Sequence, residues 1–186
     1  MAFIIFFRAV NVGGYQKFQP GKLAKELAPF DVVNLGAAGT FVVRKETGEA
    51  KLRAEIFKRL PFQPELMICP ARDILRLVAG EPFRDAPEGK DIGRFLTVMQ
   101  KAPRSLPPLP IEQPPGKKWE VRIVRVIGRF ALSVRRTGQT YANAVVEKQF
   151  GLPATTRNWN TIETICTALG NRRATAGREI MPPSGA

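Results

Sequence analysis
No histidine occurs among the 186 residues. That absence removes Ser-His-Asp and Cys-His nucleophilic systems, His-containing zinc sites and imidazole acid–base catalysis. Any chemistry falls to Arg, Lys, Tyr, Cys or carboxylates. Cysteine is scarce too. Cys69 and Cys166 stand far apart in apolar surroundings, and both read as buried free thiols rather than a disulfide or redox pair. The N-terminal apolar run Phe3–Phe7 is halted at once by Arg8. It is too short for a signal-peptide core and far too short to cross a bilayer, so a cytoplasmic protein with no membrane partner is expected. Neither G-x-x-x-x-G-K-[ST] nor G-x-G-x-x-G occurs, which excludes a P-loop and leaves no support for a dinucleotide loop; no cofactor is implied.

Acidic residues are also in short supply. Sixteen Asp+Glu face 29 Lys+Arg, a net charge of +13. The excess is lopsided: residues 1–100 hold 15 basic and 11 acidic groups, and residues 101–186 hold 14 and 5. Such a field attracts phosphates, anionic lipids or acidic partners, and it also serves plain solubility. Both readings stay open.

Apolar content of 44% is enough for a real core, and the length suits one large domain or two small subdomains. Residues 3–8 read as a central strand, 20–28 as a helix, 32–35 and 40–44 as paired strands, 50–60 as a helix and 65–69 as a strand. That order, β-α-β-β-α-β, is the ferredoxin-like split arrangement. A helix over 71–79 follows. The fold class is therefore α+β, with a ferredoxin-like subdomain over 1–85 and a second, smaller α/β-sandwich-like subdomain over 90–170. The second unit has a strand at 94–99, a hairpin at 119–126 and 129–135, a helix at 141–150, an extended piece at 154–157 and a helix at 161–169. Its residues 101–118 carry six prolines, which makes a stiff extended loop. The basic tail 171–186 reads as poorly ordered.

Two segments carry most of the functional signal. Arg8-Ala9-Val10-Asn11-Val12-Gly13-Gly14 follows the first strand, and Ala154-Thr155-Thr156-Arg157-Asn158-Trp159-Asn160-Thr161 precedes the last helix. Together they resemble the signatures of a bacterial family called domain of unknown function 1697, in matching order and separation over roughly residues 3–170. That family typically has glycine and isoleucine where this chain has Ala9 and Val10. Its third signature, Ser-Gly-Asn before a strand, falls on Ala38-Gly39-Thr40 here. The resemblance implies a two-part α+β fold with ferredoxin-like subdomains and implies no activity.

Read physically, Asn11, Gly13 and Gly14 fit either an anion-binding backbone nest beside Arg8 or Lys17, or a tight turn. Asn160 reads as an N-cap, with Glu163 completing a capping box. Trp159 seats the helix, and Arg157 and Asn158 are left to brace the structure or to meet an anion at the helix start. The expected ligand-binding set is thus Arg8, Asn11, Gly13, Gly14, Arg157, Asn158 and Asn160. On the hairpin, Arg122, Arg125, Arg129, Arg135 and Arg136 form a candidate nucleic-acid surface or a solvated face. Phe6, Phe7 and Phe41 stand where an RNA-recognition fold would display aromatics, yet the surrounding pattern favours core.

The leading expectation is binding of an anionic ligand, nucleic acid or a phosphorylated small molecule. A small enzyme using Arg157 as a clamp, with a carboxylate or Tyr15 as acid–base, is the second reading. A protein–protein module built on loop 103–115 is the third.

Overall fold
A computed structural model describes residues 1–10, 17–138 and 140–170. Asn11, Gly13, Gly14, Tyr15 and the basic tail lie outside the described residues. The described residues form two antiparallel sheets and five α-helices in the order β1 (Phe3–Arg8), α1 (Pro20–Glu26), β2 (Val32–Asn34), β3 (Thr40–Val43), α2 (Glu49–Phe57), β4 (Glu65–Pro70), α3 (Ala71–Ala79), β5 (Ile92–Met99), β6 (Ile111–Gln113), β7 (Val121–Ile127), β8 (Phe130–Arg136), α4 (Ala142–Phe150), β9 (Ala154–Asn158) and α5 (Trp159–Ala168). A 3-10 turn, Ala28–Phe30, separates α1 from β2.

The first sheet runs β2-β3-β1-β4 and the second β6-β7-β8-β5-β9. Every strand in both is antiparallel to its neighbours. β1 is central because it is apolar on both faces. Phe3, Ile5 and Phe7 face Leu23 and Leu27 of α1 with Leu52 and Ile56 of α2, so both helices lie on one side. Ile4 and Phe6 face the opposite way, into a core shared by Ile74 and Leu77 of α3, Leu96 and Val98 of β5, Leu132 and Val134 of β8, and Ile162 and Ile165 of α5. A third cluster joins Val145 and Val146 of α4 to Val121, Ile123, Ala131 and Met99 on the far face of the second sheet. Phe6, Phe7 and Phe41 are fully buried, which makes them core rather than stacking platforms.

Sequence punctuation accounts for most element ends. Proline opens α1, Pro70 leads directly into α3, and Gly151 closes α4 in the left-handed conformation at φ 62°. Two expectations need correction. The proline-rich segment holds a short strand, β6, which the prolines at 110 and 114 hide from a sequence reading. It is tolerated because it sits on the sheet edge, where a missing N–H is not needed by a second neighbour. The peptides Leu109–Pro110 and Gln113–Pro114 on either side of it are cis. The last helix also starts earlier than expected. Its N-cap is Asn158, whose Oδ1 accepts from Thr161 N at 2.9 Å and Thr161 Oγ1 at 3.0 Å. Asn160 is already inside the first turn, so the expected capping box with Glu163 does not form. The reason is local: β9 runs straight into α5, and the first available cap residue takes the role.

No helix among the described residues is long and apolar enough to cross a membrane. Cys69 and Cys166 are free and buried, and burial pushes the Cys69 thiol up to about 11. At pH 8 neither thiol should react with a thiol reagent in the folded protein, and both should react once it is unfolded. Counting modified groups before and after adding denaturant checks this, and fast labelling of the native chain would contradict the burial.

Ala9 has a left-handed backbone, φ 53°, a conformation that glycine adopts without strain. An L-residue there costs about 1–2 kcal/mol, while added glycine entropy in the unfolded chain takes back about 0.4–1 kcal/mol. Ala9→Gly should therefore stabilise the protein by about 0.5–1 kcal/mol. Denaturant melts of the two chains measure it, and a lower midpoint for the variant would refute the strain argument.

Candidate functional site
The C-terminal segment meets the end of β1 in space, and what joins them is a buried guanidinium. In β9 alternate side chains point to opposite faces of the second sheet. Thr155 and Arg157 turn toward β1 and the β2–β3 connection, while Thr156 turns away and exchanges a hydroxyl contact with Thr97 at 2.7 Å. Arg157 is only 8% exposed. Its Nε donates to Thr40 Oγ1 at 2.7 Å. Nη1 donates to Thr155 Oγ1 and Thr156 O, each at 2.8 Å. Nη2 donates to Phe7 O at 2.9 Å and Ala38 O at 2.7 Å. Thr155 adds its own hydroxyl to Phe7 O at 3.1 Å. Those acceptors account for all five guanidinium N–H groups, and none of them is a carboxylate. Burial without a counter-charge lowers the Arg157 pKa to about 10.

Glycine makes this geometry possible. Gly39 has φ +69°, and a Cβ there would lie 2.7 Å from Phe7 Cβ. Only a residue without that carbon brings the 38–40 backbone onto β1 and presents the Ala38 carbonyl to Arg157. The third signature thus meets the C-terminal segment and the end of β1 at one point, with the Thr40 hydroxyl as acceptor. Thr40, Thr155 and the Ala38 carbonyl escaped the expected site set, because threonine in a strand and a bare carbonyl carry no sequence signal of partnership.

Arg8 makes a second link on the rim of the same seam. Its Nε donates to Glu147 Oε1 of α4 at 2.9 Å and to Ala154 O at 3.1 Å, and Nη1 reaches Glu65 at 2.8 Å. The hydrogen bond to Glu147, with the charges of Glu147 and Glu65, outweighs desolvation and raises the Arg8 pKa. Arg129 makes the third link, donating to Met99 O at 2.7 Å and Ile68 O at 3.2 Å, so that it ties β4 to the second sheet.

The other half of the C-terminal segment opens outward. Asn158, Trp159, Asn160 and Glu163 line a cleft of about 900 Å³ with Phe83, Arg84 and Glu88 of the α3–β5 connection and Arg94 of β5. Phe83 and Trp159 meet edge to face at 4.9 Å. Arg94 lies over the Phe83 ring at 5.6 Å and is ion-paired with Glu88; Arg84 pairs with Glu81. The cleft therefore has an aromatic floor, mixed charge on its rim and the start of a ten-residue helix at one end. The N–H groups of Trp159 and Asn160, first in that helix, have no acceptor within it. Among the described residues no group of three His, Cys, Asp or Glu side chains is placed to hold a metal ion.

The hairpin arginines divide. Arg122, Arg125 and Arg136 lie opposite Val134, Leu132 and Ile92, on the face that also carries Arg94. Arg135 lies opposite Val121 and Gly93 on the α4 side, where it donates to Thr140 O and Gly138 O and stacks on Tyr141 at 4.9 Å. Arg129 is the link already described. Strand alternation and a bulge between Ile123 and Arg125 separate the five side chains. Arg122 pairs with Glu112 at 2.5 Å, and Arg122 and Arg136 enclose Trp119 at 4.5 and 4.0 Å.

With this geometry in place, comparison with known proteins gives the family. Residues 1–125 match the model described as "Protein of unknown function (DUF1697)", so the chain belongs to that family. The match ends within β7, before the C-terminal segment. No curated protein matches the chain significantly. In structure the chain is similar to the conserved bacterial protein SP0830 from Streptococcus pneumoniae, with a TM-score of 0.55 and 16% sequence identity over 90% of this chain and 98% of that one. At that identity the likeness concerns the fold alone.

Removing the central guanidinium tests the seam. Arg157→Met leaves several buried acceptors without a donor, each costing about 1–3 kcal/mol. The expected loss is roughly 3 kcal/mol or more, and Arg157→Lys should recover only part because one ammonium cannot span the same acceptors. Urea unfolding of both variants measures it; a loss below about 1 kcal/mol for Arg157→Met would show that the guanidinium is dispensable.

Proposed function
We propose that the protein binds a small anionic ligand in the cleft between the α3–β5 connection and the start of α5. The carrying observation is convergence: Asn158, Trp159 and Asn160 of the C-terminal segment meet Arg94 and Phe83 around one cavity. Its volume of about 900 Å³ falls within the range of small-molecule sites. An anionic group is favoured at the α5 end, where the helix dipole and the Asn160 amide side chain coincide. Phe83 and Trp159 suit a flat or apolar body. Arg94 supplies charge, released from Glu88 when the ligand offers a better acceptor. Arg8 and Arg157 hold the wall behind this cleft instead of touching the ligand.

A polyanion is the second reading, favoured by one observation: Arg94, Arg122, Arg125 and Arg136 share a face. The small ligand ranks first because Arg122 already holds Glu112 and Asp85 stands 4.0 Å from Arg125. For the architecture, strand order β2-β3-β1-β4 with α1 and α2 on one face supports reading residues 1–85 as a ferredoxin-like subdomain, with 90–170 as a second, smaller α+β subdomain.

Thermal shift against inorganic phosphate, nucleoside monophosphates and dicarboxylates tests the reading. A ligand present at 100 times its Kd adds about 2.7 kcal/mol of stability. At least one class should raise the melting temperature, and the double variant Arg94→Gln/Asn160→Ala should lose that shift while melting normally without ligand. A shift that persists in the double variant, or none with any anion, would remove the proposal. Oligonucleotides titrated at two salt concentrations separate the polyanion reading by its salt dependence.

A further inference from the structure
The cleft beside α5 holds one charge that its own rim does not neutralise. Arg84 is paired with Glu81 and Arg94 with Glu88. Glu163, half-buried on α5 and lining the same cavity, has no ion pair among the described residues. It stands beyond the first turn of α5, where the helix dipole no longer favours a carboxylate. We propose, resting on the anion-binding reading of the cleft, that its ligand is an α-amino acid with an aromatic side chain, whose ammonium is held by Glu163.

One turn of helix brings the recognition groups together. Asn160 and Glu163 are three positions apart and Trp159 and Glu163 four, the spacings at which helical side chains are neighbours. All three line the cavity. At that spacing the β-carbons are about 5–6 Å apart, so an anion drawn to Asn160 sits one turn from the Glu163 charge and is repelled by it. A ligand that carries an ammonium beside its carboxylate turns this repulsion into an ion pair. In an α-amino acid both groups branch from one carbon, which matches the short step from Asn160 to Glu163. Trp159 and Phe83, edge to face at 4.9 Å, offer a ring face to the ammonium and an apolar wall to the side chain.

The charge balance selects the anionic group. Glu81, Glu88 and Glu163 line the cleft against Arg84 and Arg94, so carboxylates outnumber guanidinium groups. Such a site disfavours a phosphate dianion and suits a single carboxylate offset by its own ammonium.

Isothermal titration calorimetry on the full chain compares L-phenylalanine with phenylpropanoate, which lacks the ammonium, and phenylethylamine, which lacks the carboxylate. Phenylalanine should bind about tenfold or more tightly than either, as a hydrogen bond between charged groups provides. Glu163→Gln should erase its advantage over phenylpropanoate, and should melt like the parent because no ion pair is lost. Equal affinity for phenylalanine and either analogue, or a preference kept in Glu163→Gln, overturns the assignment. Binding of inorganic phosphate or a dicarboxylate without binding of phenylalanine overturns it too, and leaves the anion-binding reading of the cleft standing. No heat of binding with any of these compounds removes both.

Discussion
Arg157 is a cation taken out of water without a carboxylate to meet it, and the two sheets are joined around that fact. Its acceptors come from β1, the β2–β3 connection, β3 and β9 itself. A planar fork with five donors can satisfy such a scattered set, and a point charge such as lysine cannot. The cost of desolvation is offset because every N–H finds an oxygen. Gly39 and Thr40 are shaped around the same group, one by lacking a Cβ and the other by offering a hydroxyl.

Consequences spread outward from that seam. With β9 held against β1, Arg8 can reach Glu147 and Ala154, and the shared core closes over Ile4, Phe6, Leu96 and Ile162. β9 then has one face committed to the interior, and the residues after it must leave in another direction. Asn158 caps α5 at that exit and sends Trp159 and Asn160 along the cleft. Inward-bracing and cleft-lining halves of one eight-residue segment are thus set by strand alternation and a helix cap. The brace fixes where the cleft wall stands.

Charge distribution gives a parallel lesson. A net charge of +13 fits either a polyanion surface or plain solubility, and the hairpin carries five of the arginines. In the fold, several of these cations serve packing: Arg129 and Arg135 donate to backbone carbonyls, while Arg122 and Arg136 flatten against Trp119. Guanidinium groups stack on rings and bond carbonyls as readily as they meet phosphates. Counting them therefore overstates the surface available to a polyanion.

Local patterns carried the secondary structure far. Apolar runs, helix periodicity, and proline or glycine at element ends placed every helix and all but one strand, because those rules act over a few neighbouring residues. β6 escaped, since an edge strand obeys weaker local rules than a central one. Pairing across more than a hundred residues lay beyond such rules. That Arg157 turns inward while Asn158 caps a helix, that Thr40 and Gly39 belong to the same network, and that the hairpin arginines part to opposite faces all depend on which sheet face is covered. Burial is a property of the assembled layers, and it alone divided the C-terminal motif into half brace and half cleft wall.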